Sequence, residues 1–196
     1  MSVIVRDDLV LSHAVVTADV TAPFEHIDIE QWLKTLPTHE YQRCAPGDHK
    51  AAGYTVDDDG VPMSINVEMI GAGLVIQQYR YEVASPHYCK MVSISDVYSP
   101  AGWTTTQVIW ELGMEQLEGD CLRYVNTVTS HPTEDFLKFI TASGQTFEQA
   151  AAARQAASGA HCEVETPHYA RSIAAFALAR AAESAPAAVP ATAPAA

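Results

Sequence analysis

Basic residues are scarce in this chain, with 11 Lys and Arg against 24 Asp and Glu in 196 residues, for a formal net charge of −13. Phosphate binding needs clustered Lys and Arg, so the balance argues against a nucleic-acid partner or an anionic membrane surface and reads as a solubility feature. Long apolar runs are missing too. No segment approaches the ~18 residues of a membrane span, so no membrane insertion is expected. The opening Met-Ser-Val-Ile-Val-Arg-Asp-Asp lacks the basic start and apolar run of a signal peptide, and the expected location is cytoplasmic. The four cysteines, Cys44, Cys89, Cys121 and Cys162, form no C-x-x-C pair, which excludes a zinc ribbon or redox motif and leaves reduced, buried thiols as the expectation. No Ser-centred nucleophile elbow occurs. Gly71-Ala72-Gly73 has no Lys beside it and no helix after it, so it is not a phosphate loop. No cofactor is expected.

What the chain does have is period-two patterning. Val61, Met63, Ile65, Val67 and Met69 are apolar, while Pro62, Ser64, Asn66 and Glu68 between them are less apolar or charged, which predicts a strand with the apolar set facing a core. Similar segments surround it. Val10 to Val20 is a first strand, stopped by Thr21-Ala22-Pro23. Phe24 to Leu36 suits one or two short helices closed by Pro37. Six more strands are expected at His49–Val56, Val61–Ile70, Leu74–Ala84, Tyr88–Tyr98, Trp103–Met114 and Cys121–Ser130. Asp57-Asp58-Asp59-Gly60 between the first two of these is a strong hairpin signal. All the connections are too short for crossover helices, so neighbours must be antiparallel and the fold class is α+β with one curved sheet. Helical propensity follows at Glu134 to Thr141 and at Gln145 to Ala157, where Ser158-Gly159 breaks it. Thr166-Pro167 then gives an N-cap and a first-turn Pro for a last helix to about Ala182. From 183 to 196 the composition is almost only Ala and Pro, a disordered tail.

The order of elements, with the corner Val20-Thr21-Ala22-Pro23 before a helix, resembles the START-like (SRPBCC) superfamily, also called the helix-grip or birch-pollen-allergen fold. The resemblance covers roughly residues 9 to 182 and implies a seven-stranded curved antiparallel sheet around a C-terminal helix. The START-like domain then spans 1–182, with an extra helical insertion at 133–160 that is expected to lid a cavity or form a homodimer contact. It also implies a ligand: members include carriers of small hydrophobic or aromatic molecules, polyketide cyclases and aromatases, and ring-hydroxylating oxygenases. The cysteine spacing excludes the iron–sulfur centre of an intact oxygenase.

Alternation on the fourth, sixth and seventh strands nominates Gln77, Tyr79, Tyr81, Trp110, Tyr124 and Asn126 as ligand-binding residues, since aromatic walls with a few polar groups make a small-molecule site. No carboxylate or histidine is expected on the inward face, because Glu68 and Glu82 alternate outward. The segment His161 to His168 gathers His161, Glu163, Glu165 and His168, but the spacing matches no established zinc pattern. Acidic residues just before a helix complement its positive end, and no metal site is expected. Three functions remain open: binding of an apolar or aromatic small molecule, a polyketide cyclase or aromatase using the same cavity, and an interaction module with a filled core.

Overall fold

Tight turns decide the topology. In the computed structural model, which describes residues 3–118 and 121–184, Asp57 Oδ1 accepts from the amides of Asp59 (3.0 Å) and Val61 (2.9 Å). Gly60 takes the positive φ of 80° that closes this turn. It joins β2 (His49–Val56) to β3 (Pro62–Ile70), and a two-residue turn led by Gly71 joins β3 to β4 (Gly73–Ala84). β5 (Tyr88–Ser99), β6 (Gly102–Gln116) and β7 (Leu122–Pro132) continue the meander. β1 (Ser12–Val20) pairs antiparallel with β7, so the sheet order is β1-β7-β6-β5-β4-β3-β2. Every neighbouring pair is antiparallel.

Between β1 and β2 the chain makes a single 3-10 turn at Phe24–His26, then α1 (Ile29–Thr35) and α2 (Thr38–Cys44). Pro37 ends α1, as the sequence predicts, and is also the N-cap of α2. The sequence reading assigns no helix after Pro37. After β7 come α3 (Glu134–Ala142), capped by Thr133 Oγ1 accepting from the Phe136 amide at 3.0 Å, and the long α4 (Phe147–Ser184). α4 touches β1 at one end of the sheet order and β3 near the other. A single helix reaches both only if the sheet curls around it. This is the helix-grip arrangement that the element order implies.

α4 corrects two expectations. It is one helix of 38 residues, about 57 Å long, so Ser158-Gly159 does not break it and Thr166-Pro167 does not start a new one. Ser and Gly lower propensity by at most about 1 kcal/mol each, and packing of the helix on the sheet outweighs that. Pro167 sits inside and removes the bond to the Glu163 carbonyl, but Glu163 lies at the exposed surface, where water can satisfy it. The extra helical segment is therefore α3 plus the first turns of α4. The expected tail lies, from residue 185, outside the described residues.

β3 corrects a third. Its alternation is as regular as the sequence indicates, but the faces are reversed. Ser64, Asn66, Glu68 and Ile70 are buried, and Met63, Ile65, Val67 and Met69 are only partly covered on the outer side. The register explains this: Ser64 pairs with Tyr79, Asn66 with Gln77 and Glu68 with Val75, and directly paired residues share a face. Gln77, Tyr79 and Tyr81 on β4, Trp110 on β6, and Tyr124 and Asn126 on β7 face inward as the sequence predicts, together with Val75, every second residue from Thr104 to Met114, and Leu122. Val83, next in the same alternation, is turned to solvent by a bulge after Tyr81.

The apolar core lies between this concave face, α1, α2 and the second half of α4, where Glu165, Tyr169, Ile173 and Ala177 recur every four residues on the buried side. Ile173 is fully buried, whereas Leu178 is 51 % exposed. Ile173→Ala is expected to lower unfolding free energy by about 2–5 kcal/mol in urea titration, and Leu178→Ala to change it by less than about 0.5 kcal/mol.

Candidate functional site

The inner end of the sheet concavity holds charge. His49 opens β2, Glu68 lies near the end of β3, and His161 and Glu165 stand one turn apart on the same side of α4. All four are buried. His49 Nε2 lies 3.6 Å from Glu68 Oε2 and 3.3 Å from Glu165 Oε2. His161 Nε2 lies 3.4 Å from Glu68 Oε2 and 3.3 Å from Glu165 Oε2. The two imidazoles and two carboxylates thus alternate around one small space.

A second layer holds each of them. His49 Nδ1 is 2.6 Å from the Tyr41 carbonyl oxygen, and the Tyr41 ring stacks on the His49 ring at 3.6 Å between centroids. The Tyr41 hydroxyl donates to Glu68 Oε2 at 2.9 Å. His161 Nδ1 is 3.0 Å from Asp48 Oδ2. Asn126 donates from Nδ2 to Glu165 Oε1 and to Thr166 Oγ1, both at 3.0 Å, and accepts at Oδ1 from Trp110 Nε1 at 2.8 Å. The Thr166 hydroxyl in turn donates to the Cys162 carbonyl at 2.6 Å.

Burial works to raise the pKa of Glu68 and Glu165, but the facing imidazoles, His161 above all, outweigh it and hold both carboxyls below the usual carboxylate range. For His161 burial works downward, and Glu165 and Glu68 outweigh it, lifting the imidazole well above its usual range. Burial and then Glu68 push the Tyr41 phenol up, so it stays a donor.

Three of the four cluster residues, Glu68, His161 and Glu165, line a small cavity of about 20 Å³, together with Asn66, Gln77, Tyr79, Trp110, Arg154 and Tyr169 among others. That is room for one water. The interior is thus largely filled with side chains, and the spacious apolar hollow implied by the resemblance is absent among the described residues. Gln77, Tyr79 and Trp110 do line the cavity, and Gln77 Nε2 donates to the Tyr79 hydroxyl at 2.9 Å. Asn126 stands behind them, in the second layer. Tyr81 and Tyr124 do not reach the cavity. They are packed in the apolar core with hydroxyls that lack a hydrogen-bond partner.

A larger space lies outside. A groove of about 610 Å³ runs between α3, the start of α4 and the β3–β4 and β5–β6 turns, with Val97, Phe136, Phe139, Ile140 and Ala153 among its walls. Gly71 fits this groove closely: at φ 61°, a Cβ on it would meet the Ala157 Cβ at 3.2 Å. Ile70 and Arg154 belong to both the groove and the inner cavity. Arg154 takes part in no ion pair among the described residues, and its Nε has no hydrogen-bond partner. Burial lowers its pKa.

The sequence reading missed His49, Glu68, His161, Glu165 and Arg154 as a set. Three separate elements supply the cluster, so no single spacing could announce it. The one local signal was His161 and Glu165 at i and i+4, visible only if the helix runs through Pro167. Two predictions follow from this packing. Asn126→Ala leaves the Trp110 N–H and one Glu165 oxygen unpaired, and is expected to cost at least about 2 kcal/mol in chemical denaturation. Cys121 is exposed, against expectation, while Cys44, Cys89 and Cys162 are buried. Burial pushes the Cys44 thiol up to about 12 and the Cys89 thiol up to about 11. A thiol reagent at pH 8 is therefore expected to modify Cys121 quickly and the other three only after unfolding.

No protein-family model and no curated protein matches the sequence. Solved structures are similar in fold. The Zhui aromatase/cyclase from Streptomyces sp. R1128 superposes with a TM-score of 0.57 at 13% identity, over 86% of this chain and 94% of that one. The di-domain ARO/CYC StfQ of the steffimycin biosynthetic pathway gives 0.54 at 14% identity, over 90% of this chain and 53% of that one, so the chain spans about half the length of StfQ. Shared topology at this identity carries the architecture and not the reaction. The chain has the helix-grip fold.

Proposed function

We propose that the chain binds an apolar or aromatic small molecule in the groove between α3, α4 and the β3–β4 turn, with an oxygen-bearing end directed at Arg154 and the inner cavity. The observation that carries this reading is the junction itself. An apolar groove of ligand size, about 610 Å³, ends on a guanidinium without an ion-pair partner. A half-buried cation with free donors favours a carboxylate, phenolate or polarised carbonyl over a hydrocarbon. The similarity in fold to the Zhui aromatase/cyclase supports the same class of ligand.

A polyketide cyclase or aromatase activity is the second reading, favoured by the buried polar end. A passive carrier of apolar molecules has no use for charged groups that are expensive to bury. Ring closure of a polycarbonyl chain needs proton transfer and donors for a developing oxyanion. The Tyr79 phenol, which burial keeps protonated, and the Gln77 amide line the cavity where such an oxygen would arrive.

The test is titration with a hydroxyanthraquinone and with its non-hydroxylated parent, followed by Trp fluorescence. One molecule per chain is expected. Phe139→Ala should weaken both compounds about tenfold, or about 1.4 kcal/mol, and Arg154→Met should weaken the hydroxylated compound selectively. No saturable binding, or affinities indifferent to both substitutions, would leave the interaction-module reading in its place. Turnover of a polyketide thioester that Tyr79→Phe abolishes while binding persists would establish the cyclase.

A further inference from the structure

We propose that His49, Glu68, His161 and Glu165 form a binding site for one divalent transition-metal ion, zinc by donor set and spacing. The site is independent of the ligand reading above: it is tested with metal alone, and either can fail without the other.

The first ground is distance. One donor atom from each of His49, Glu68 and His161 lies within 4.8 Å of the other two. Glu165 Oε2 adds a fourth, 3.3 Å from each ring nitrogen. Donors bound tetrahedrally at zinc's usual N and O distances of about 2.0–2.2 Å stand about 3.3–3.6 Å apart. The four imidazole–carboxylate separations run from 3.3 to 3.6 Å.

The second ground is direction. His49 Nε2 and His161 Nε2 are both buried and both lack a hydrogen-bond partner, although each has two carboxylate oxygens within 3.6 Å. The ring nitrogens are close to these oxygens but not lined up on them. Nitrogens that share an ion with neighbouring carboxylates have this arrangement, whereas hydrogen-bonded pairs do not.

The third ground is the second layer. Each ring meets an acceptor at Nδ1: a backbone carbonyl for His49 and the Asp48 carboxylate for His161. A proton held on Nδ1 leaves the Nε2 lone pair free for a metal, and this outer partner is what metal-bound histidines have. The carboxylates are oriented too. Tyr41 donates to Glu68, and Asn126 holds Glu165 by Oε1 so that Oε2 faces the rings. Charge agrees with geometry, because one divalent ion matches the charge of two buried carboxylates.

The experiment is metal analysis of the full chain purified without chelator, then stripping and calorimetric titration with Zn²⁺. Co²⁺ serves as the visible probe of coordination. One equivalent per chain is expected, with the Co²⁺ absorption of a four-coordinate site. His161→Gln should abolish both. Because that variant removes a buried group, Asp48→Asn is the companion: Asp48 is 44% exposed at its side chain, so the fold should tolerate the change, and zinc affinity should fall about tenfold. Failure of the wild-type chain to take up Zn²⁺ or Co²⁺ overturns the proposal. So does binding whose strength and Co²⁺ spectrum are the same in wild type, His161→Gln and Asp48→Asn, which would place the ion elsewhere on the chain.

Discussion

Two carboxylates held out of water govern the inner half of this molecule. Glu68 and Glu165 come from opposite layers, sheet and helix, and meet across the same pair of imidazoles. Neither could stay ionised there alone, because burial by itself drives a carboxyl toward its neutral form. The compensation is local: imidazoles on one side, the Tyr41 phenol and Asn126 amide on the other. Much nearby structure answers to this requirement. Tyr41 stacks on His49 while binding Glu68, and Asn126 ties Trp110 to Glu165 and Thr166. The polar face of β3 is turned inward for the same reason, since its Glu68 and Asn66 belong to this polar end.

The molecule therefore divides into two parts. Around Tyr124, Leu112, Ile173 and Trp32 the concavity is filled with apolar side chains that fasten α4 to the sheet. Around Glu68 and Glu165 it is polar, nearly closed, and bordered by an open apolar groove. Arg154 and Ile70 stand where cavity and groove meet. A rigid apolar base below and a charged chamber above let one helix serve both as the main packing element and as the carrier of His161 and Glu165.

Much of the fold was legible because turns and alternation are local. The Asp57-to-Gly60 hairpin, the short connections and the seven strands followed from residue type and spacing. So did the inward residues of β4, β6 and β7, where apolar bulk marks the buried side. In β3 alternation marks the strand but not which face is inside, and the apolar set that suggests a core face lies outward. Ser158, Gly159 and Pro167 are breakers by propensity, and tertiary packing overrules them to give one continuous α4. Of the nominated site residues, Gln77, Tyr79 and Trp110 reach the cavity, Asn126 supports it, and Tyr81 and Tyr124 serve the core. The charged cluster was not legible, since its members lie on three elements and meet only once the sheet has curled around the helix.

The state of the two central rings is the most direct probe of this arrangement. Long-range ¹H–¹⁵N correlation spectra of the eight histidines report which ring nitrogen carries a proton and which changes when zinc is added. His49 and His161 should each show a slowly exchanging proton on Nδ1, and one equivalent of zinc should shift their Nε2 resonances and leave the other six rings unchanged. A proton on Nε2 of either ring in the zinc-loaded chain, or a zinc response at other histidines with these two silent, would contradict it.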